Sequence, residues 1–299
     1  MGDYPKTLPE FEEWFATEQA CREYFRKLRW PNGFSCPRCG AEEAWFSDRD
    51  LYVCKHCRHQ TSVLAGTIFQ DTKKPLRLWF RAIWHITNQK YGANALGLQR
   101  VLGLGSYHTA WRWLHKLRRA MVRPGQDKLS GTIEVDESYV GGKESGNPGR
   151  GSENKELVFI AAQEDGEGIG RIRLRRIEDA TAESLEQAVK QTIEPDSVVR
   201  TDGWPSYNGL TEIGYRHMAV RSGGEVGEAA LPRPSQIASL LKRWLLGTYQ
   251  GAVRASHLEY YLDEYTFRFN RRASRFRGKL FYRLLQQAAS VNPVIGKNL

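Results

Sequence analysis

Three groups of side chains in this sequence have types and spacings suited to chemistry. The first is four cysteines in two pairs, Cys36-x2-Cys39 and Cys54-x2-Cys57, with fourteen residues between the pairs. Each CxxC turn can aim two thiolates at one ion, and two such turns complete a tetrahedral, structural zinc site. Gly40 after the first pair and the strand-like Leu51-Tyr52-Val53 before the second suit a zinc ribbon. Disulfides need an oxidising compartment, and the acidic, aromatic start MGDYPKTLPEFEEWF is unlike a signal peptide. His56 and His59 lie close by, but four thiolates already satisfy the metal. Cys21 stands alone on a helix expected from Glu18 to Leu28 and reads as buried rather than reactive. A ribbon of this size relies on its metal for stability, and it can hold either DNA or a protein partner.

The second group is a pair of aspartates. In TIEVDESYVGGK, Ile133 and Val135 point one way while Thr132, Glu134 and Asp136 point the other. A buried strand that ends in Asp136, then Glu137 and a Gly141-Gly142 turn, is a costly place for a carboxylate without a task. SVVRTDGWPSYNGL repeats the theme, with Val198 and Val199 delivering Asp202 to a glycine turn. Singly, each aspartate reads equally as a turn former or a ligand. Together, at the ends of strands in one parallel or mixed sheet, they can hold one or two Mg²⁺ ions. Two such ions clamp the attacking and leaving oxygens of a phosphodiester.

The third group lies in LPRPSQIASLLKRWLLGTY. Ile237, Leu240, Leu241 and Trp244 form one apolar helix face, while Ser235, Ser239 and Lys242 fall at i, i+4 and i+7 along another. A metal site of this kind usually draws a third ligand from a later helix, and this helix is the one placed to supply it. Ser235, following Pro234, also reads as a helix cap.

The elements that must position these groups follow from pattern and charge. The 299 residues suffice for roughly two domains. The net charge of +10 is segregated: eleven Lys/Arg and no acid lie between Lys73 and Arg123, and eight Lys/Arg and no acid between Thr266 and Leu299. The rest of the chain holds 25 basic residues against 34 acidic ones. Two acid-free, aromatic-rich blocks are the footprint of a nucleic-acid binder, against the plainer reading of solvated helix faces. The first block reads as three helices, with stripes at Leu76, Trp79, Ile83 and Ile86, then Leu98, Val101 and Leu102, then Trp111, Leu114 and Leu117. Gly103-Leu104-Gly105 forms the turn and Ser106 caps the third helix, a helix-turn-helix pattern. Arg112, Lys116, Arg118, Arg119 and His108 remain for DNA. The alternative is a three-helix bundle packed on another domain.

After Pro124-Gly125 the pattern turns to strands. LVFIAAQED and IGRIRLRRI follow the first, Ala180 to Thr192 is helical with Leu185 and Val189 inward, and His257 to Arg272 is helical with Leu258, Leu262 and Tyr265 inward. Asp263 and Glu264 are expected to pair with Arg268, Arg271 or Arg272. The second basic block, Arg271 and Arg272 included, is expected on DNA phosphates. No apolar run approaches the ~18 residues of a membrane span, so a cytoplasmic location without membrane contact is the default.

The sequence resembles a bacterial insertion-sequence transposase of the group with an N-terminal zinc ribbon and a DDE domain of ribonuclease H-like fold. The resemblance covers nearly the whole chain and rests on RWPNGFSCPRCG, YVCKHCRHQTSVLAGTIF, IEVDESYVGGK, VRTDGWPSYNGL, SLLKRWLLGTYQGAV and HLEYYLDEYTFRFNRR. It implies Mg²⁺- or Mn²⁺-dependent cleavage at transposon ends, then attack of the freed 3′-hydroxyl on target DNA, by at least a dimer acting at the nucleoid. Asp136 and Asp202 match the first two catalytic carboxylates, and Lys242 matches the lysine seven residues after the third ligand. Relatives place Glu, Asn or His at that third position, and here it is Ser235. Water in place of the ligand, or Glu225 or Glu228, are the alternatives for completing the metal shell.

The expected architecture is therefore α+β and multidomain. It comprises an N-terminal helical segment over 1–30, a zinc ribbon over 31–70, a helix-turn-helix-like DNA-binding segment over 71–125, and a ribonuclease H-like catalytic α/β domain over 126–299. The expected function is a DNA transposase. A catalytically impaired DNA-binding relative, regulator or decayed copy, is the alternative because of Ser235, and a nuclease of the same fold that does not join strands is a third.

Overall fold

The computed structural model describes residues 3–122, 127–141, 155–220, 230–249 and 253–293. The chain divides into two compact units, residues 1–124 with 274–299, and residues 125–273.

The first unit opens with α1 (Leu8–Trp14) and α2 (Glu18–Arg29), each capped by a threonine, Thr7 and Thr17, whose hydroxyl accepts a first-turn N–H. Cys21 is fully buried on α2, and burial pushes its thiol up to about 12. A three-stranded antiparallel sheet follows, β1 (Ala44–Phe46), β2 (Leu51–Cys54) and β3 (Gln60–Ser62), in the order β1-β2-β3. Three helices come next, α3 (Leu76–Asn88), α4 (Ala95–Leu102) and α5 (Tyr107–Met121). Trp79 of α3 stacks on Trp113 of α5, centroids 3.6 Å apart and 13° from parallel. The buried stripe of α5 therefore runs through Trp113, Leu114 and Leu117, with the expected Trp111 only half-buried.

The last helix, α9 (Gly278–Ala288), completes this first unit. Leu280, Phe281, Leu284 and Leu285 are buried, and Phe281 packs edge-on against Phe11 and Phe80. The expected catalytic span of 126–299 thus runs past the second unit, which ends at Ala273. An amphipathic stripe fixes that a helix is buried but not against which core.

The second unit is built on a five-stranded mixed sheet in the order β6-β5-β4-β7-β8. Its strands are β4 (Thr132–Gly141), β5 (Lys155–Asp165), β6 (Gly168–Ile177), β7 (Val198–Thr201) and β8 (Arg216–Ala219). β4, β5 and β6 are a meander of antiparallel neighbours, whereas β7 runs parallel to β4 and β8 parallel to β7. Strand alternation sends Ile133, Val135 and Phe159 to one face, where they pack with Leu185 and Val189 of α6 (Ala182–Thr192) and with Tyr207. Val140, Val158 and Ile160 face the other side, against Ile237 and Leu241 of α7 (Pro232–Tyr249) and Leu258, Leu262 and Tyr265 of α8 (Ala255–Phe269). A sheet of this order and direction with helices on both faces is ribonuclease H-like, and the protein as a whole is α+β.

Candidate metal centres and nucleic-acid interface

The four cysteine sulfurs converge. All lie within 4.8 Å of one another, with Cys36 Sγ 3.6 Å from Cys57 Sγ and Cys39 Sγ 3.7 Å from Cys54 Sγ. A tetrahedral ion with Zn–S bonds of ~2.3 Å sets sulfur–sulfur edges of ~3.8 Å, so the cluster has the dimensions of a four-thiolate zinc site. The two turns are built alike: Gly40 donates its N–H to the Cys36 carbonyl and Arg58 donates to that of Cys54, at 2.9 and 3.0 Å. Both residues have left-handed backbones, φ +75° and +59°. Glycine takes that conformation freely, and Arg58 shows that the turn, not the residue type, dictates it. His56 is exposed and His59 half-buried, outside this thiol cluster.

On α5, Arg112 and Arg119 are exposed and Lys116 is half-buried, with its ammonium held low chiefly by desolvation. Arg118 departs from expectation. It is buried, and one guanidinium nitrogen donates to the Ala93 carbonyl at 3.2 Å. A step of 100° per residue separates Arg118 from Arg119, enough to move a side chain from surface to core. Arg118 therefore braces the segment before α4 instead of facing solvent. Ser106 stands at the start of α5, yet its hydroxyl makes no capping bond.

In the second unit, β4 and β7 pair in parallel with Glu134 opposite Arg200. Two residues further along each chain stand Asp136 and Asp202. Neighbouring strands lie ~4.8 Å apart, so the register brings Asp136 level with Asp202, the residue that follows β7. Asp136 does not end its strand as expected, because pairing with β5 carries β4 on to Gly141. Burial raises the Asp136 pKa, the Glu137 N–H bonded to its carboxylate at 2.9 Å opposes this, and the negative charge of Asp202 raises it further. Asp202 is exposed and accepts the Trp204 N–H at 3.0 Å, closing a turn through Gly203 at φ +81°. Behind that turn, in a 3₁₀ helix (Pro205–Leu210), the buried Tyr207 hydroxyl donates to Glu137.

Helix α7 lies on the Asp136 face of the sheet, packed on β4 and β5. It begins at Pro232, so Pro232 and Pro234 occupy the first turn, where a missing N–H leaves nothing unpaired. The Ser235 N–H bonds to the Leu231 carbonyl at 3.3 Å, one turn into the helix. Ser235 is thus not the cap expected of it. The Arg233 N–H donates instead to Glu134 Oε2 at 2.9 Å, which places the capping carboxylate on β4. Lys242 is exposed two turns along, its pKa lowered by desolvation first and by Lys155 next. Gly142, Glu225 and Glu228 lie outside the described residues.

The remaining basic candidates are partly committed. Arg271 donates to the Phe267 carbonyl and covers the Phe267 ring, and Arg272 donates to the carbonyls of Ile169, Gly170 and Phe269. Glu264 is buried and pairs with Arg268 Nη2 at 2.7 Å, the expected use of that carboxylate. Sequence reasoning missed two pairings: Glu134 with Arg233 and Glu137 with Tyr207. Strand alternation alone places Glu134 on the Asp136 face, but its partner is 99 residues away. No helix among the described residues is long and apolar enough to cross a membrane.

Comparison with known proteins agrees with this anatomy. Residues 128–270 match the ISXO2-like transposase domain, and residues 16–60 match the transposase zinc-ribbon domain. The chain is 29% identical over 254 residues to an uncharacterized protein in transposable element ISH50 of Halobacterium salinarum, covering 77% of this chain and 84% of the relative. Since that relative is archaeal, the likeness is not confined to bacteria. Among solved structures, the catalytic core of BIV integrase is similar at 16% identity, with a TM-score of 0.34, over 50% of this chain and 90% of that one. A pre-cleavage Mos1 transpososome is similar at 13% identity, with a TM-score of 0.29, over 76% and 82% of the respective chains. Likeness this remote has no bearing on the activity of this chain.

Proposed function

We propose, for a chain that carries the zinc-ribbon and DDE domains of insertion-sequence transposases, that it cuts DNA at transposon ends and joins them to target DNA with Mg²⁺ or Mn²⁺. The observation that supports this reading is the parallel register of β4 and β7, whose paired Glu134 and Arg200 each precede by two residues an aspartate, Asp136 and Asp202. Two hard oxygen donors on neighbouring segments of the sheet fit a divalent cation, and a half-buried carboxylate with a like charge beside it is stabilised in its ionised form by one. Bound there, such ions would activate the attacking oxygen and stabilise the leaving one.

The chain's own residues then divide the remaining work. Asp136 and Asp202 hold the cation and set its place on the sheet. Lys242, exposed and with its pKa lowered by desolvation and then by the half-exposed Lys155 nearby, joins that lysine in drawing the DNA phosphate toward the sheet. Arg112, Lys116 and Arg119 of α5, with Arg271 and Arg272, contact the backbone of bound DNA; Arg118 does not. Ser235 sits in the first turn of α7 and offers a neutral hydroxyl, so water completes the metal shell. A dimer or larger assembly would bring two ends together at the nucleoid in the cytoplasm.

Ser235 also supports the second reading, a DNA-binding relative that no longer cuts. The deciding experiment is a cleavage and joining assay on an inverted-repeat end, with the native chain beside Ser235→His and Ser235→Glu. Nicking and joining by the native chain supports the first reading. End binding without cleavage, with cutting restored in either variant, supports the second, and cleavage without joining marks a nuclease.

A further inference from the structure

We propose that Glu134 and Arg233 form a clamp that positions α7 over the Asp136 face of the sheet, and that Glu134 is a positioning residue and not a metal ligand. The inference rests on the reading of Asp136 and Asp202 as a cation site. Glu134 invites the opposite assignment. It is a carboxylate two residues before Asp136, on the same face of β4, and only 3% exposed. In a site whose third ligand position is a serine, a buried carboxylate this close is the obvious replacement.

Its hydrogen bonds assign it elsewhere. Oε2 accepts the Arg233 N–H at 2.9 Å, and Oε1 accepts Arg233 Nη1 at 2.5 Å. Arg233 is fixed on its other side as well: Nε donates to the Gly168 carbonyl at 2.9 Å and Nη2 to the Gly166 carbonyl at 2.8 Å. Nη1 also meets Glu164 Oε1 at 3.2 Å, and Glu164 pairs in turn with Arg200, the strand partner of Glu134. Two arginines and two glutamates thus neutralise one another beneath the start of α7.

The consequences are geometric. Flanked by two prolines that donate no N–H, the Arg233 amide is the one donor of the first three helical residues, and Glu134 takes it. One carboxylate therefore grips the helix by both backbone and side chain at Arg233, two residues before Ser235. Because α7 is continuous from Pro232 to Tyr249, fixing its first turn fixes where Lys242 stands along the sheet. A side chain misplaced by about 1 Å at a reacting centre can cost about 10²-fold in rate.

The test uses the full chain and five variants: Arg233→Ala, Arg233→Lys, Glu134→Ala, the double alanine variant, and Asp136→Asn as the reference for loss of the cation site. Three quantities are read: kcat for end cleavage, Mn²⁺ affinity by electron paramagnetic resonance without DNA, and amide hydrogen exchange along 233–242. The clamp predicts that both alanine variants lose at least about tenfold in kcat and exchange faster in the first turn of α7, while Mn²⁺ affinity changes less than about twofold. It also predicts that the double variant loses less than the product of the two single losses, since both single variants remove the shared Glu134–Arg233 ion pair. Arg233→Lys, which keeps the charge and the backbone N–H, recovers part of the rate. Exchange in β4 and α8 separates loss of the clamp from loss of the fold. If Glu134→Ala weakens Mn²⁺ as much as Asp136→Asn does, Glu134 is a ligand and the proposal is overturned. Unchanged exchange and rate in Arg233→Ala overturns it equally. Should Asp136→Asn leave Mn²⁺ binding intact, it is the cation site itself that fails, and the exchange data still judge the clamp.

Discussion

Asp136, within β4, and Asp202, the residue that follows β7, each stand two residues beyond a paired position of these parallel strands, Glu134 opposite Arg200. Nothing between them along the chain is needed to bring them together; the sheet does it. The pair has a thermodynamic signature that can be measured without DNA. Burial and the charge of Asp202 make the folded protein bind the Asp136 proton more tightly than the unfolded chain does. Ionising Asp136 therefore subtracts stability as pH rises from the unfolded-state pKa, ~4, through the raised folded value. Asparagine never ionises. Without divalent cations, Asp136→Asn is expected to melt at a higher temperature than the native chain at pH 7, and the gap is expected to close below about pH 4. Melting curves across that range check the sign.

Zinc is expected at one ion per chain, held by Cys36, Cys39, Cys54 and Cys57. Cys54→Ser or a strong chelator should release it and unfold residues around the three short strands, because a structural site of this kind contributes about 10–16 kcal/mol of binding free energy to folding. Metal analysis with limited proteolysis reads both effects. A metal content unaffected by Cys54→Ser would remove that cysteine from the site.

On α5 two neighbouring arginines should behave in opposite ways. Arg118→Ala removes a buried side chain bonded to the Ala93 carbonyl, and about 1–3 kcal/mol of stability should go with it. Arg119→Ala should leave stability within about 0.5 kcal/mol and reduce the salt slope of DNA binding by about 1. Denaturant midpoints and salt-dependent binding curves separate the two.

Tyr207→Phe deletes the hydroxyl that donates to Glu137 from behind the Asp202 turn. A hydrogen bond to a charged group contributes about 1.5–3 kcal/mol, so a stability loss of that order is expected in a denaturant titration. A loss near zero would show that the bond adds nothing beyond the packing of the ring.

What the sequence discloses here depends on distance along the chain. The cysteine pairs are local, and their spacing alone is enough to place a zinc site that the sulfur positions match. Asp202 is visible as a strand end, whereas Asp136 lies within β4, which runs on to Gly141, and the register of the two is a property of pairing across the sheet. The basic residues of α5 are legible only to within one helical step, which is the whole difference between Arg118 and Arg119. Ser235 misleads because two prolines read as a break before a helix, when both can sit inside its first turn. The true cap, Glu134, is supplied from a strand 99 residues before Arg233, and no local pattern connects the two. Helix α9 is visible in the sequence only as part of the second basic block, and which unit it completes is decided by Phe281 meeting Phe11 and Phe80.

The central claim is that Asp136 and Asp202 jointly hold a divalent cation, and Mn²⁺ binding to the full chain tests it most directly. Titration followed by electron paramagnetic resonance should show binding to the native chain that is weakened about 10–100-fold or more in Asp136→Asn and in Asp202→Asn alike, with zinc content unchanged. Native affinity in either variant would contradict the shared site.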